Sequence, residues 1–130
     1  MAFGFYGTSE VCETAEAGAH PAFVSFNEEN SNMPESTWLS QQFPHARVAL
    51  RAENHMLLAI AARSGASLAL LPHYIGRRVP GLRLCTLGPL PPPREIWLLI
   101  RRQYRESKSV RAMMQHLVDA FKDAETTFAD

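Results

Sequence analysis

Polar side chains suited to ligand contact follow the short apolar segments of this chain. Asn27 comes directly after AFVSF, Glu53 and Asn54 follow ARVALR, and His73 follows SLALLP. If these segments are parallel strands, their carboxyl ends share one edge of a sheet, where ligands bind in such folds. Amide, carboxylate and imidazole groups held on loops by a rigid sheet suit small-molecule recognition. We therefore expect a polar ring at this edge.

Asn54 is also placed to cap a helix. Apolar residues recur behind it at helical spacing, and a glycine stands at the C′ position: Met56, Leu57, Ile60, Ala61 and Gly65. The start of this helix would present free N–H groups and a partial positive charge, which stabilise a ligand carboxylate. Glu53 competes for that positive end. A plain helix cap is the alternative role for Asn54.

Signals for catalysis or metal binding are few. Glu28 and Glu29 can be interpreted as acid–base carboxylates, but a solvated acidic loop is favoured. The five histidines, at positions 20, 45, 55, 73 and 116, lack the spacing of metal ligands. There is no GxSxG, GxxxxGK[ST], GxGxxG or HExxH motif. We predict no metal, no cofactor and no catalytic residue.

A basic stretch runs from Arg94 to Arg111 and includes Trp97 and Tyr104. Basic residues interleaved with aromatic residues are typical of nucleic-acid binding. However, Ile96–Ile100 has the composition of a buried strand, so the charges cannot all share one surface. A solvated strand end is therefore the favoured interpretation.

Composition is that of one globular domain or part of one, with 130 residues, of which 46% are hydrophobic and 20% charged. The longest apolar runs, Met56–Ala62 and Ile96–Ile100, are too short to span a bilayer. Met1–Gly7 has no positive n-region, so we expect no secretory signal. Cys12 and Cys85 stand alone, which predicts two reduced thiols in a cytoplasmic protein.

The zero net charge hides an asymmetry. Residues 1–46 carry six acidic residues and no Lys or Arg, whereas residues 47–122 carry all 13 basic residues. Opposite charges can attract within one chain or between two chains. Two solvated faces without a partner are the alternative.

Apolar periodicity predicts alternating strands and helices, and hence an α/β fold. The expected strands cover residues 2–6, 22–26, 46–51, 67–71, 82–87 and 95–101. The expected helices begin near Thr8, Pro34, Asn54, His73 and Ser107, and the last carries one apolar stripe from Val110 to Phe121. The connector GPLPPP, residues 88–93, separates the last strand and helix from the rest. It marks a change of layer or lobe, or alternatively a long surface loop.

The order of these segments resembles LysR-type transcriptional regulators. The segments that carry the resemblance are AFVSF, RVALRAENHMLLAIAARSGASLALLPHYIG, GLRL, PPPREIWLLIRR and VRAMMQHLVDAF. The run ARSGASLALLP is similar to a glycine-containing segment of that family. The resemblance extends roughly from Gly4 to Phe121 and covers the second half of the effector-binding domain.

The resemblance implies a fold like that of type 2 periplasmic binding proteins, with a parallel or mixed sheet flanked by helices. Residues 1–87 would form the second lobe, residues 88–93 the crossover, and residues 94–130 a strand and helix that return to a largely missing first lobe. Effector contacts carried over from the family fall on seven residues: Ser25, Phe26, Asn27, Glu53, Asn54, His55 and Pro72. The family's helix-turn-helix is missing, so DNA contact would require a domain that this chain does not contain.

These observations predict a non-enzymatic domain that binds a small organic effector, self-associates and has no contact with a membrane. A small α/β enzyme that uses Glu28, Glu53 and a histidine is one alternative. The other is a ligand-free oligomerisation fragment. An exposed apolar strand at 96–100, without sheet neighbours, would favour pairing with another chain.

Overall fold

A computed structural model describes residues 1–129 as a five-stranded sheet with helices on both faces. The strands are β1 Phe3–Gly7, β2 Phe23–Phe26, β3 Val48–Ala52, β4 Leu68–Pro72 and β5 Arg83–Cys85. The helices are α1 Ser9–Glu16, α2 Pro34–Gln42, α3 His55–Arg63, α4 His73–Gly76, α5 Lys108–Asp123 and α6 Glu125–Phe128. Two 3-10 turns lie at Glu28–Asn30 and Arg102–Tyr104. The predicted α/β class is confirmed, and Asp130 falls outside the described residues.

The sheet is mixed, with the strand order β3-β2-β4-β1-β5. The strand β2 runs parallel to both β3 and β4, whereas β1 is antiparallel to β4 and β5. The predicted unit of strand, helix and strand is therefore β3–α3–β4, with β2 between its two strands. All five residues of β4 are buried, as an uninterrupted apolar run predicts.

Successive strand residues supply two cores, because side chains alternate between the faces of a sheet. Leu68 and Leu70 join the cluster beneath α1 and α2, whereas Ala69 and Leu71 join the cluster beneath α3. The helix layers thus lie on opposite faces, and β2 and β4 are covered from both sides.

The helix α3 forms where the sequence predicts. The side-chain oxygen of Asn54 accepts a hydrogen bond from the Leu57 N–H at 3.0 Å, and Gly65 ends the helix with a φ of 88°. The buried face is Leu58, Ala59 and Ala62, which are small enough to let the helix approach the sheet. Met56, Leu57 and Ile60 point outward instead and remain largely exposed.

Cys12 and Cys85 form a disulfide, so the prediction of two reduced thiols is wrong. Their Cα atoms lie 5.3 Å apart, although the residues are separated by 73 positions. Cys85 pairs with Phe5 across β1 and β5, and α1 covers that face with Cys12 fully buried. The sheet register creates this proximity, which the isolated positions in sequence do not reveal.

Two ion pairs join the acidic first part of the chain to the later basic part. Arg83 contacts both carboxylate oxygens of Glu16 at 3.1 Å. The pKa of Glu16 lies below its ordinary value because it accepts hydrogen bonds from Arg83 and from the Thr86 N–H. The second pair joins Arg94 to Glu35 at 3.2 Å. Some of the acidic residues of the first part are therefore paired with basic residues of the later part within one chain.

The strand predicted at residues 95–101 does not form. In the part of the chain that the structure describes, the backbone groups of residues 95–100 have no hydrogen-bond partner. A strand forms only when its backbone hydrogen-bonds to a neighbouring strand. The last residue before this segment with such a bond is Arg94, whose N–H donates to the Met1 carbonyl at 2.8 Å. The side chains of Ile96, Trp97, Leu98 and Leu99 are consequently exposed rather than buried.

The helix α5 is confirmed, and the Ser107 hydroxyl caps it by accepting from the Val110 N–H at 3.4 Å. It has no buried residue. Its C-terminal continuation α6 meets the body, where the Ala2 N–H donates to the Phe128 carbonyl at 2.9 Å and Tyr74 stacks against the Phe128 ring. Within residues 1–129, no helix is both long and apolar enough to cross a membrane.

Candidate functional site

The carboxyl ends of the parallel strands meet at one edge of the sheet. Phe26 lies opposite Ala52, and the Asn27 N–H donates to the Ala52 carbonyl at 3.0 Å. The strand β4 runs in the same direction, so its last residue, Pro72, ends at this edge opposite Phe3 of β1. The structure therefore brings the ends of all three predicted strands together.

Asn30 ties two of the loops at this edge to each other. Its side-chain nitrogen donates to the Asn27 side-chain oxygen at 3.0 Å and to the Glu53 carbonyl at 3.2 Å. The Asn27 oxygen also accepts from the Asn30 backbone N–H at 3.2 Å. The loop after β2 and the loop after β3 are thus held in one fixed relation.

Asn27 and Asn54 both use their side-chain oxygens internally. Asn27 caps the 3-10 turn and Asn54 caps α3. Within residues 1–129, neither side-chain amide nitrogen has a hydrogen-bond acceptor. Asn54 is exposed, so its N–H groups and the start of α3 offer donors to an oxygen of a ligand.

His55 connects the two helix layers around the end of the sheet. Its Nε2 lies 3.1 Å from Oε1 of Glu35, which belongs to the first turn of α2. The imidazole meets Phe26 edge-on, with ring centroids 5.0 Å apart, and lies 6.1 Å from the Phe3 ring. These contacts fix the orientation of the first residue of α3.

Glu35 is a buried carboxylate that contacts basic side chains from two segments. Arg94, just beyond the proline-rich connector, approaches it at 3.2 Å, and His55 approaches it at 3.1 Å. Burial by itself would raise the pKa of Glu35, but the contacts with His55 and Arg94 outweigh it and leave the pKa below its ordinary value. The ionised form of this carboxylate therefore holds the connector and α3 against α2.

Other residues at this edge lie beneath the surface. Ser25 is almost fully buried and Pro72 is completely buried. His73 is also buried, and its Nδ1 lies 2.7 Å from the Tyr6 hydroxyl. Burial raises the pKa of the Tyr6 phenol, against the opposing effect of Arg77. These groups support the edge from below, whereas Asn54 and Glu53 face outward.

Two hollows flank the edge. A groove of about 340 Å³ beside Arg94 is lined by Phe3, Pro34, Glu35, Thr37, Trp38, Gln41, Pro92 and Arg94. A second groove, of about 590 Å³, runs between β3 and α3 and includes Glu53, Leu50 and Leu57 in its wall. Of the predicted polar ring, Glu53 lines the second groove.

Glu35, Trp38 and Arg94 were not predicted as site residues. An acid in the first turn of a helix is indistinguishable in sequence from a solvated residue that favours the helix dipole. The one available signal is position, because Pro34 marks the first turn of the helix that follows the AFVSF strand. Burial of Glu35 depends on contacts with residues 20 and 59 positions later.

Within residues 1–129, neither Glu28 nor Glu53 of the enzyme alternative forms an ion pair with a histidine. Glu28 and Glu53 are exposed, and the histidine–carboxylate pair of this edge joins His55 to Glu35 instead. Among residues 1–129, no three His, Cys, Asp or Glu side chains are arranged to hold a metal ion.

An open mixed sheet with helices on both faces and polar groups at its strand ends defines an α/β domain. Residues 12–122 match the LysR substrate binding domain, so the chain belongs to that family. It is 31% identical over 98 residues to the Mau operon transcriptional activator of Paracoccus denitrificans. That match covers 75% of this chain and 34% of the relative, so the chain spans about a third of the relative's length. No solved structure matches it.

Proposed function

We propose that this chain is an effector-sensing part of a LysR-type transcriptional regulator, and that it is not an enzyme. The observation that carries this proposal is the exposed start of α3 at the polar edge. There Asn54 keeps its amide N–H groups available beside Asn27 and His55. Family membership of residues 12–122 supports it.

The proposed effector is a small organic molecule that carries a carboxylate or another oxygen acceptor. The N–H groups and positive end of α3 stabilise negative charge, and the exposed Asn54 amide adds a directional donor. On this proposal, the predicted contact residues have two different roles. These seven residues are Ser25, Phe26, Asn27, Glu53, Asn54, His55 and Pro72. The outward ones meet the effector, and the buried ones hold them in place.

The other wall of the cleft would come from a first lobe outside the described residues. On this proposal, residues 1–87 are the second lobe, residues 88–93 the crossover and residues 94–130 the return to the first lobe. The paired hydrogen bonds between Met1 and Arg94 support it, because they place two chain segments side by side where the body ends. The unpaired apolar residues 96–100 fit a strand meant for another sheet.

In a complete regulator, the effector would bind the closed arrangement of the two lobes better than the open one. That difference in affinity shifts the population between states. DNA binding would belong to a separate helix-turn-helix domain, and the site of action would be the cytoplasm. We also propose that the regulator works as a homo-oligomer.

The test is a thermal shift screen of this chain with small carboxylates and small neutral aromatic compounds. We expect at least one carboxylate to raise the melting temperature in a concentration-dependent way. Asn54→Asp keeps the helix cap but places a negative charge at the donor site, so it should abolish the shift. Gln42→Glu makes the same chemical change at the far end of α2 and should leave the shift intact.

Two results would contradict the proposal. One is a wild-type chain that no compound of either class stabilises. The other is a carboxylate that stabilises the Asn54→Asp variant as strongly as the wild type, because its site would then lie elsewhere.

A further inference from the structure

A groove at the amino ends of β2 and β3 has no part in the proposed effector site. Its volume is about 420 Å³, which is within the range of small-molecule sites. The groove is lined by residues just before and at the start of these strands, including Phe23 and Arg47. It therefore lies at the opposite end of the sheet from the polar edge, separated from it by the length of β2, which is about 10 Å.

The apolar part of the lining is held in place by the fold. The rings of Phe23 and Phe43 pack with their centroids 5.0 Å apart. The Phe23 N–H donates to the Arg47 carbonyl at 2.9 Å, and the Ala46 N–H donates to the Phe43 carbonyl at 3.1 Å. These bonds fix the loop after α2 against the start of β2, so the groove exists without a ligand.

Three basic side chains line the same groove, and all three are exposed: His20, His45 and Arg47. Among residues 1–129, none of these side chains has a hydrogen-bond or ion-pair partner, and the lining includes no Asp or Glu. The permanent charge of Arg47 opposes a metal ion beside the two imidazoles. The donors of the groove therefore favour an anion.

We propose that this groove is a second binding site, and that its ligand is a phosphate monoester carried on a small ring. A phosphate monoester has three terminal oxygens and a charge of about −1.5 to −2 at neutral pH. One guanidinium and two imidazoles match this group better than a carboxylate, which has two oxygens and a single charge. The ring of the ligand packs against Phe43, which supplies the apolar contact.

This site is independent of the proposed effector sensing. The Arg94 N–H pairs with the Met1 carbonyl, and the Ala2 carbonyl accepts from the His73 N–H. The two segments proposed to continue into the first lobe therefore lie at the polar edge, so that lobe would not cover the groove. Failure of this inference would leave the proposed function intact, because the carboxylate screen contains no phosphate.

Titrations followed by amide chemical shifts test both the location and the chemistry of the site. In phosphate-free buffer, phenyl phosphate should move the signals of Ala22, Ala46 and Arg47 and leave that of Asn54 unchanged. The affinity read from the Ala46 signal should be highest for phenyl phosphate and lower for inorganic phosphate and benzoate. Benzyl alcohol should leave this signal unmoved, because the ring without the charge does not engage the basic side chains.

Substitution of the basic side chains tests their role. Arg47→Gln should weaken phenyl phosphate binding about tenfold, because it removes a charge-assisted hydrogen bond. His45→Gln should weaken it as well. Arg78→Gln and His116→Gln make the same changes on exposed residues outside the groove and should bind phenyl phosphate as the wild type does.

Three results would overturn the proposal. The first is a phenyl phosphate titration that leaves the groove signals unmoved. The second is an equal loss of affinity in Arg47→Gln and Arg78→Gln, which would indicate diffuse attraction by surface charge. The third is benzoate or inorganic phosphate binding in the groove as tightly as phenyl phosphate, since the ligand class would then be wrong. A circular dichroism melt of each variant distinguishes loss of binding from loss of folding.

Discussion

His55 and Glu35 meet at 3.1 Å although they begin helices on opposite faces of the sheet. Their contact passes around the carboxyl ends of the strands rather than through the core. It therefore closes the two helix layers at the edge where the proposed effector binds. Arg94 contacts the same carboxylate and brings the proline-rich connector into this arrangement.

Glu35→Gln should destabilise the chain by about 1.5–3 kcal/mol at pH 7, because it removes a buried charged partner of His55 and Arg94. The folded pKa of Glu35 is lowered from 4.5, so the unfolded state binds the proton more tightly. The contribution is present above pH 4.5 and is lost as the pH falls through the lower folded pKa. Urea unfolding from pH 3 to 7 should show the difference from wild type shrinking toward acid.

The matched control for Glu35→Gln is Glu29→Gln, the same change on an exposed residue. It should leave the free energy of unfolding unchanged at both ends of the pH range. Equal losses for the two variants would mean that the buried contacts of Glu35 contribute nothing.

Reduction of the Cys12–Cys85 disulfide should cost about 4 kcal/mol, because the crosslink restricts an unfolded loop of 73 residues. Guanidinium unfolding with and without a reductant measures this loss. A Cys12→Ser/Cys85→Ser variant should resemble the reduced protein and show no response to the reductant. Two reactive thiols in the unreduced, folded protein would contradict the observed bond.

Tyr6→Phe should cost about 1 kcal/mol, since the buried hydroxyl contacts Nδ1 of His73 at 2.7 Å. Tyr104→Phe removes an equivalent hydroxyl from an exposed residue and should be neutral. Thermal melts of both variants provide the measurement. Equal melting temperatures for Tyr6→Phe and the wild type would show that the hydroxyl contact does not contribute to stability.

Asn54→Ala should cost about 1 kcal/mol through loss of the cap on Leu57. Asn54→Asp should retain most of the stability, because a carboxylate oxygen accepts the same N–H and favours the helix dipole. Chemical denaturation of the two variants separates the structural role of Asn54 from any role in binding. Equal free energies of unfolding for Asn54→Ala and Asn54→Asp would mean that the cap does not stabilise the folded chain.

Local signals were sufficient to predict most of the fold. Asn54, Gly65 and the apolar run of β4 each specify their own conformation through short-range rules, and each element forms where expected. The polar edge could also be predicted, because parallel strands place their carboxyl ends together. The roles of the seven contact residues remain a prediction.

Features that depend on distant partners could not be predicted. The disulfide depends on the pairing of β5 with β1, and burial of Glu35 depends on His55 and Arg94. The segment 95–101 has the composition of a strand, but a strand forms only beside another. Apolar periodicity predicts which residues prefer burial and does not show whether a surface is available to bury them.

Because of the bond between Cys12 and Cys85, the effect of proteolytic cleavage depends on where the backbone is cut. A nick at any position from 13 to 84 would leave the two pieces covalently tethered. A nick between 95 and 106 falls outside that ring, where the tail is held to the body by the packing of Phe128. Cleavage there would therefore leave the tail attached by noncovalent contacts alone, whereas cleavage within the ring leaves the pieces joined by a covalent bond.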